Sequence, residues 1–129
     1  MIVVDTNVLA YLWLPGIRTP AAERLLKKDP DWNAPLLWRS EFRNVLAGCL
    51  RRGDLDLETA LQIADGAEEQ MRGREFSVPS AQVLARVEES QCSAYDCEFV
   101  ALAEELGVSL VTVDEKLLKS FPATTRPLG

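Results

Sequence analysis

Met1-Ile2-Val3-Val4-Asp5-Thr6-Asn7-Val8-Leu9 is the stretch that decides the fold. Residues 1–4 are apolar and mostly β-branched, with no polar interruption. Such a run suits a central strand buried on both faces. Asn7 to Leu12 then reads as a first helix. A buried strand that passes directly into a helix is the opening of an α/β unit. Asp5 stands at the junction, where a carboxylate has little packing purpose.

The same arrangement returns near the other end of the chain. Ser109 to Val113 reads as a second buried strand, Asp114 closes it, and Glu115 to Leu118 forms a short helix. Between the two, strand-like runs alternate with helical periodicity. Thr19-Pro20 reads as an N-cap followed by proline at the first helical position, in a helix ending at Lys27-Lys28. Residues 32–35 form a weak strand. Leu37 to Arg52 is helical by spacing and stops at Gly53. Asp56 caps a longer helix, whose face from Leu57 to Ala67 is a candidate for core, and Gly73 ends it. A short strand from Glu75 to Val78 leads to a helix begun by Pro79. Ser93 and Asp96 resemble a capping box. The helix behind them is expected to bury Tyr95, Phe99, Leu102, Ala103 and Leu106 and to stop at Gly107. Thr124 to Leu128 reads as an edge strand. The expected fold is one α/β domain over residues 1–129 with a mainly parallel sheet.

Composition narrows the function. No run approaches the roughly 18 apolar residues of a membrane span. The start has no signal-peptide pattern, so a cytoplasmic protein is expected. Cys49, Cys92 and Cys97 lack metal-ligand spacing and read as reduced thiols. No histidine is present. That removes Ser-His-Asp and Cys-His nucleophilic sites and most catalytic zinc arrangements. The formal net charge of -6 argues against a protein that coats nucleic acid stoichiometrically. It argues less against a metal-dependent nuclease, because two divalent cations would offset most of it.

Two more acids stand at helix starts: Glu41 in Trp38-Arg39-Ser40-Glu41-Phe42, and Asp96 in Ser93-Ala94-Tyr95-Asp96. Strand ends and helix starts face the same edge of an open α/β sheet, where ligands bind. Asp5, Glu41, Asp96 and Asp114 can therefore gather at one place. Four carboxylates together repel and raise one another's pKa unless a cation lies among them. Mg²⁺ and Mn²⁺ prefer carboxylate and water oxygens, and phosphodiester hydrolysis with such ions needs no histidine. Taken singly, Asp96 and Asp114 are equally ordinary helix-start acids, and Glu41 reads as a solvated one. The joint pattern points to a metal site.

Several neighbours support that reading. Thr6 and Asn7 are placed to orient Asp5 or a metal-bound water. Thr112, two residues before Asp114, points to the same side of its strand. Arg39, Arg43 and Lys116 are candidates for phosphate contacts, with a solvated helix face as the plain alternative. Trp13 and Trp38 suit packing better than base stacking.

These residues closely resemble a known family. Val4-Asp5-Thr6-Asn7-Val8-Leu9, Glu41 in a helix, Ser93-Ala94-Tyr95-Asp96 leading into Phe99-Val100-Ala101-Leu102-Ala103, and Leu110-Val111-Thr112-Val113-Asp114 are similar, in order and over the whole chain, to the PIN-domain ribonucleases. Within them the chain resembles VapC, the toxin of VapBC toxin–antitoxin pairs. The resemblance implies a three-layer α/β/α domain and Mg²⁺- or Mn²⁺-dependent cleavage of RNA. It implies Asp5, Glu41, Asp96 and Asp114 as the acidic quartet, with Thr6, Asn7 and Thr112 beside it. It also implies a homodimer and a VapB-type antitoxin that covers the site, often with an arginine among the acids. The competing readings are a PIN-type RNA-processing nuclease without an antitoxin, a phospho-acceptor regulatory domain, and a non-catalytic metal-binding interaction module. The middle of the chain offers no aspartate at a strand end for a phospho-acceptor.

Overall fold

The computed structural model describes residues 1–129. Five strands form one sheet: β1 (Ile2–Val4), β2 (Trp32–Pro35), β3 (Glu75–Phe76), β4 (Leu110–Thr112) and β5 (Thr125–Pro127). Their order is β3-β2-β1-β4-β5, and every pairing is parallel. Every residue of β1, β2 and β4 is buried. Continuous burial without alternation requires cover on both faces, which the three-layer α/β/α arrangement supplies.

Seven helices make that cover: α1 (Thr6–Trp13), α2 (Thr19–Lys28), α3 (Trp38–Arg52), α4 (Leu57–Gln70), α5 (Ser80–Glu88), α6 (Ala94–Leu106) and α7 (Glu115–Ser120). The N-terminal helices pack on one another, α1 against α2 and α3, and α3 against α4. Helix α6 crosses β1, β2 and β4 and carries α5 on its outer side. It is the central helix, with Phe99 to Ala103 buried without interruption. Several caps agree with the sequence signals, although α4 ends at Gln70 with Met71 as its C-cap and not at Gly73. Gly53 and Gly107 end α3 and α6 with φ of 77° and 69°, in the left-handed region that glycine tolerates best. The Asp56 carboxylate accepts from the Thr59 backbone N–H at the start of α4.

Strand order fixes where a site can form. The chain steps outward from β1 through β2 to β3, then returns across the sheet to β4 and β5. The direction of winding therefore reverses between β1 and β4, and a crevice opens beyond their C-terminal ends. Asp5 is the residue after β1 and Asp114 lies two residues after β4. The register pairs Val4 with Val111, and the Asp5 backbone N–H donates to the Val111 carbonyl.

Four local expectations are corrected. Thr19 is the first residue of α2 and not its N-cap. Its hydroxyl instead donates to the Tyr11 carbonyl at 2.6 Å and accepts from the Gly16 N–H, closing the turn between α1 and α2. Tyr95 is 63% exposed, because the first turn of α6 overhangs the strand ends. The face from Leu57 to Ala67 is divided: Ala60 and Ala67 are buried, whereas Leu57 and Leu61 face solvent. Small residues let α4 approach its neighbours closely, and the larger leucines lie outside that contact. Strand β3 is shorter than expected, ending at Phe76.

Candidate active site

Asp5 is the N-cap residue of α1, yet its side chain makes no capping hydrogen bond to the helix. Its Oδ2 accepts a 2.7 Å hydrogen bond from the Thr112 hydroxyl. The same Thr112 oxygen accepts from the Asp114 backbone N–H at 3.0 Å. One β4 side chain thus holds the residue after β1 and the loop after β4. Thr112 is fully buried, and Asp5 is nearly so.

Glu41 comes from the first turn of α3, and its Oε1 accepts a 2.7 Å hydrogen bond from the Thr6 hydroxyl. The hydroxyl of Thr6, expected to orient Asp5, fixes Glu41 instead. Asn7 is exposed and borders a separate groove between α1 and α3. Asp96 lies in the first turn of α6, where its backbone N–H donates to the N-cap hydroxyl of Ser93 at 3.1 Å. Asp114 is the N-cap of α7, accepting from Lys116 N–H at 2.8 Å and Leu117 N–H at 3.3 Å. The capping role anticipated for Asp114 is real, and it uses Oδ1 alone.

The electrostatics bind these four positions into one region. Burial, above all, pushes the Asp5 carboxyl up, and the charges of Asp96 and Asp114 push it further. The Thr112 hydroxyl and the Thr6 backbone N–H oppose that rise. Burial likewise raises Glu41, where the Thr6 hydroxyl opposes it and Asp5, Asp96 and Glu98 add repulsion. Asp96 is raised by burial and then by Asp114, with Ser93 and the Lys116 ammonium pulling the other way. Three acids are thus held close enough to disfavour one another's charge.

No three of these acids form a closed cation cage as they stand. The donor set nevertheless suits a hard divalent cation. All its donors are carboxylate oxygens, and Asp5 and Glu41 each have only one oxygen bonded by a threonine hydroxyl. Mg²⁺ keeps several waters and is commonly bound through one or two carboxylates, so an open acidic cleft meets its needs better than a tight cage.

The basic residues separate. Lys116 faces Asp96. Arg43 is exposed on α3. Arg39 is committed elsewhere: its Nε donates to Glu75 at 2.8 Å and its Nη1 to Glu68 at 3.2 Å. As a phosphate contact Arg39 is therefore corrected, because two carboxylates already hold its guanidinium against α4 and β3. Trp38 is buried and its indole N–H also donates to Glu75. Sequence reasoning missed Glu98, whose charge reaches Glu41. Two residues from Asp96 on a helix, it does not share that residue's face, and no local pattern relates it to Glu41.

The chain is similar in sequence to a named protein and in fold to solved structures. Over 129 residues the chain is 29% identical to Ribonuclease VapC3 of Pyrobaculum aerophilum, covering 98% of each chain. The crystal structure of PAE2754 from Pyrobaculum aerophilum has a TM-score of 0.77 to it at 22% identity, over 98% of this chain and 90% of that one. FitAcB from Neisseria gonorrhoeae has a TM-score of 0.75 at 17% identity, over 97% of this chain and 96% of that one. At such identities the two structures share its fold. The family model described as PIN domain matches residues 2–121, nearly the whole sheet and all seven helices, and the chain belongs to that family.

Proposed function

We propose that this chain is a Mg²⁺- or Mn²⁺-dependent endoribonuclease and the toxin of a VapBC-type pair. The observation that carries the proposal is the gathering of Asp5, Glu41 and Asp96, with Asp114 beside them, at the switch point between β1 and β4, where burial first and neighbouring carboxylates second raise the carboxyls of Asp5, Glu41 and Asp96. Such an arrangement is unfavourable in isolation, and a site for cation and phosphodiester accounts for it. Likeness to Ribonuclease VapC3 along the full chain supports the choice of RNA.

Asp5, Asp96 and Asp114 would hold the cation, directly or through water. A bound divalent cation would supply charge that makes nearby water more acidic and stabilises the phosphodiester as negative charge builds on it. Glu41, with a carboxyl raised by burial, is suited to take the proton of the attacking water. The hydroxyl of Thr6 holds Glu41 Oε1 and leaves Oε2 for that task. The water oxygen bonds to phosphorus as the bond to the opposite ribose oxygen breaks, and that oxygen takes up a proton from solvent to leave as a hydroxyl. The hydroxyl of Thr112 keeps Asp5 oriented, and Lys116 is the cation of this chain best placed for a phosphate oxygen. The proposed partners are an RNA substrate, a second copy of the chain and a VapB-type antitoxin. A net charge of -6 favours a basic covering segment. No helix is long and apolar enough to cross a membrane.

The test is cleavage of total cellular RNA by the purified chain with Mg²⁺ or Mn²⁺, against EDTA and Asp96→Asn controls. Discrete fragments that vanish in both controls are expected. Folded protein that cuts nothing would instead favour a non-catalytic metal-binding module. Cleavage by a chain whose gene has no antitoxin neighbour would favour a processing nuclease.

A further inference from the structure

A groove of about 340 Å³, bounded by Leu36, Phe76, Val78, Leu84 and the first turns of α6, lies near the acidic cleft through Glu98, whose charge acts on Glu41. It lies near the lower bound of about 300 Å³ for small-molecule pockets. Leu36 and Leu84 are 50% and 60% exposed, so the groove presents apolar walls to solvent. Ala94 and Glu98 stand four residues apart on α6 and, with Ser77, Ser80 and Val83, complete its lining. Glu98 is half-buried, and its carboxylate lines the groove without a hydrogen bond or ion pair to any other side chain.

A partly apolar slot whose one charged group is an unpartnered carboxylate, opening beside the proposed phosphodiester site, excludes some occupants by charge. A phosphate would be repelled by Glu98 and by Glu41. A flat, neutral group offering N–H donors would satisfy Glu98 and cover Leu36, Phe76 and Leu84. Unpaired RNA bases are such groups, and proteins read them by stacking and by bonds to their Watson–Crick edges. Among the four, only guanine presents two adjacent donors, N1–H and the exocyclic amine, that match the two oxygens of a carboxylate. Adenine and cytosine place an acceptor nitrogen beside their one amine, and uracil flanks its N–H with carbonyls.

We propose that this groove binds an unpaired guanine next to the scissile phosphate, with Glu98 accepting hydrogen bonds from its N1–H and exocyclic amine. The inference rests on the ribonuclease reading above and adds a specificity determinant to it.

Two measurements on the full chain separate the two ideas. In the first, guanosine, inosine and adenosine are titrated as uncharged nucleosides into ¹⁵N-labelled protein in EDTA. Guanosine is expected to shift the amides of Leu36, Phe76, Leu84 and Glu98. Inosine, which lacks the exocyclic amine, should do so more weakly, and Glu98→Gln should erase the difference. In the second, single-stranded RNAs carrying guanosine or inosine at one position are cleaved with Mg²⁺. A preference for guanosine of about tenfold is expected, as for a bidentate base contact, and should collapse in Glu98→Gln. Equal shifts by all three nucleosides, or none in the groove, would overturn the proposal. So would groove amides that shift only on dilution, since a second copy of the chain would then occupy it. Guanosine binding without RNA cleavage would retain the groove and remove the ribonuclease reading.

Discussion

The hydroxyl of Thr112 donates to Asp5 Oδ2 at 2.7 Å across 107 residues of sequence, while its oxygen accepts from the Asp114 backbone N–H. Thr112→Val keeps the shape of the side chain and removes both contacts. It leaves a buried carboxylate oxygen without a donor, which costs about 1–3 kcal/mol. Urea unfolding at neutral pH should show that loss. Asp5→Asn should do the opposite in metal-free protein, raising the unfolding midpoint while abolishing cleavage. A destabilised Asp5→Asn would remove the case that this carboxylate is held for function.

The acid cleft also predicts a pH dependence. Asp5, Asp96 and Glu41 are raised from ordinary values of 3.8, 3.8 and 4.5. The folded state therefore binds these protons more tightly than the unfolded state. Their contribution is fully present below those ordinary values and is lost as pH rises through the folded pKa values. Metal-free protein should melt at a falling temperature as pH climbs above that window, and Mg²⁺ or Mn²⁺ should reduce the fall. Asp31 and Asp56 are lowered by hydrogen bonds, so their contribution disappears only as pH drops below 3.8. Thermal melts from acidic to neutral pH, with and without metal, check both limbs.

Arg39 and Lys116 should behave differently. Arg39→Ala breaks pairs with Glu68 and Glu75 at a half-exposed position, each worth at most about 1 kcal/mol. Its effect should appear in stability, with KM for RNA unchanged. Lys116→Ala should raise KM and leave the unfolding midpoint nearly unmoved. Steady-state kinetics on one short RNA, paired with melts of both variants, distinguishes them.

Gly66 lies under the Trp13 ring. A Cβ there would stand 2.6 Å from two ring carbons, and the indole is held by a 2.7 Å hydrogen bond to Gln70. Gly66→Ala must shift Trp13 or separate α1 from α4, at a cost of about 1–3 kcal/mol. Chemical denaturation should report it, with Gly16→Ala, where the nearest atom is 3.9 Å away, as the mild comparison.

Much of the candidate site was legible from local pattern. Asp5 and Asp114 could be placed because Ile2-Val3-Val4 and Leu110-Val111-Thr112 are strands by composition and an acid follows each. Asp96 could be placed because Ser93 marks a helix start. Arg39 was misread because a helix-face arginine looks free until Glu68 and Glu75 are known to approach it. Tyr95 was misread because periodicity describes a helix as though it were covered along its whole length. Glu98 was missed because its relation to Glu41 passes through space and not along α6.

The sequence by itself determined the elements, several of their caps and the four acids at strand ends and helix starts, since these depend on neighbours within a few residues. Only the tertiary structure decided that β1 and β4 lie side by side, that Thr112 serves Asp5 while Thr6 serves Glu41, and that Arg39 is taken out of the cleft. Parallel strands must be joined by long crossovers. Their partners therefore lie far apart in the chain, and no local pattern encodes which side chains those crossovers bring within hydrogen-bond distance.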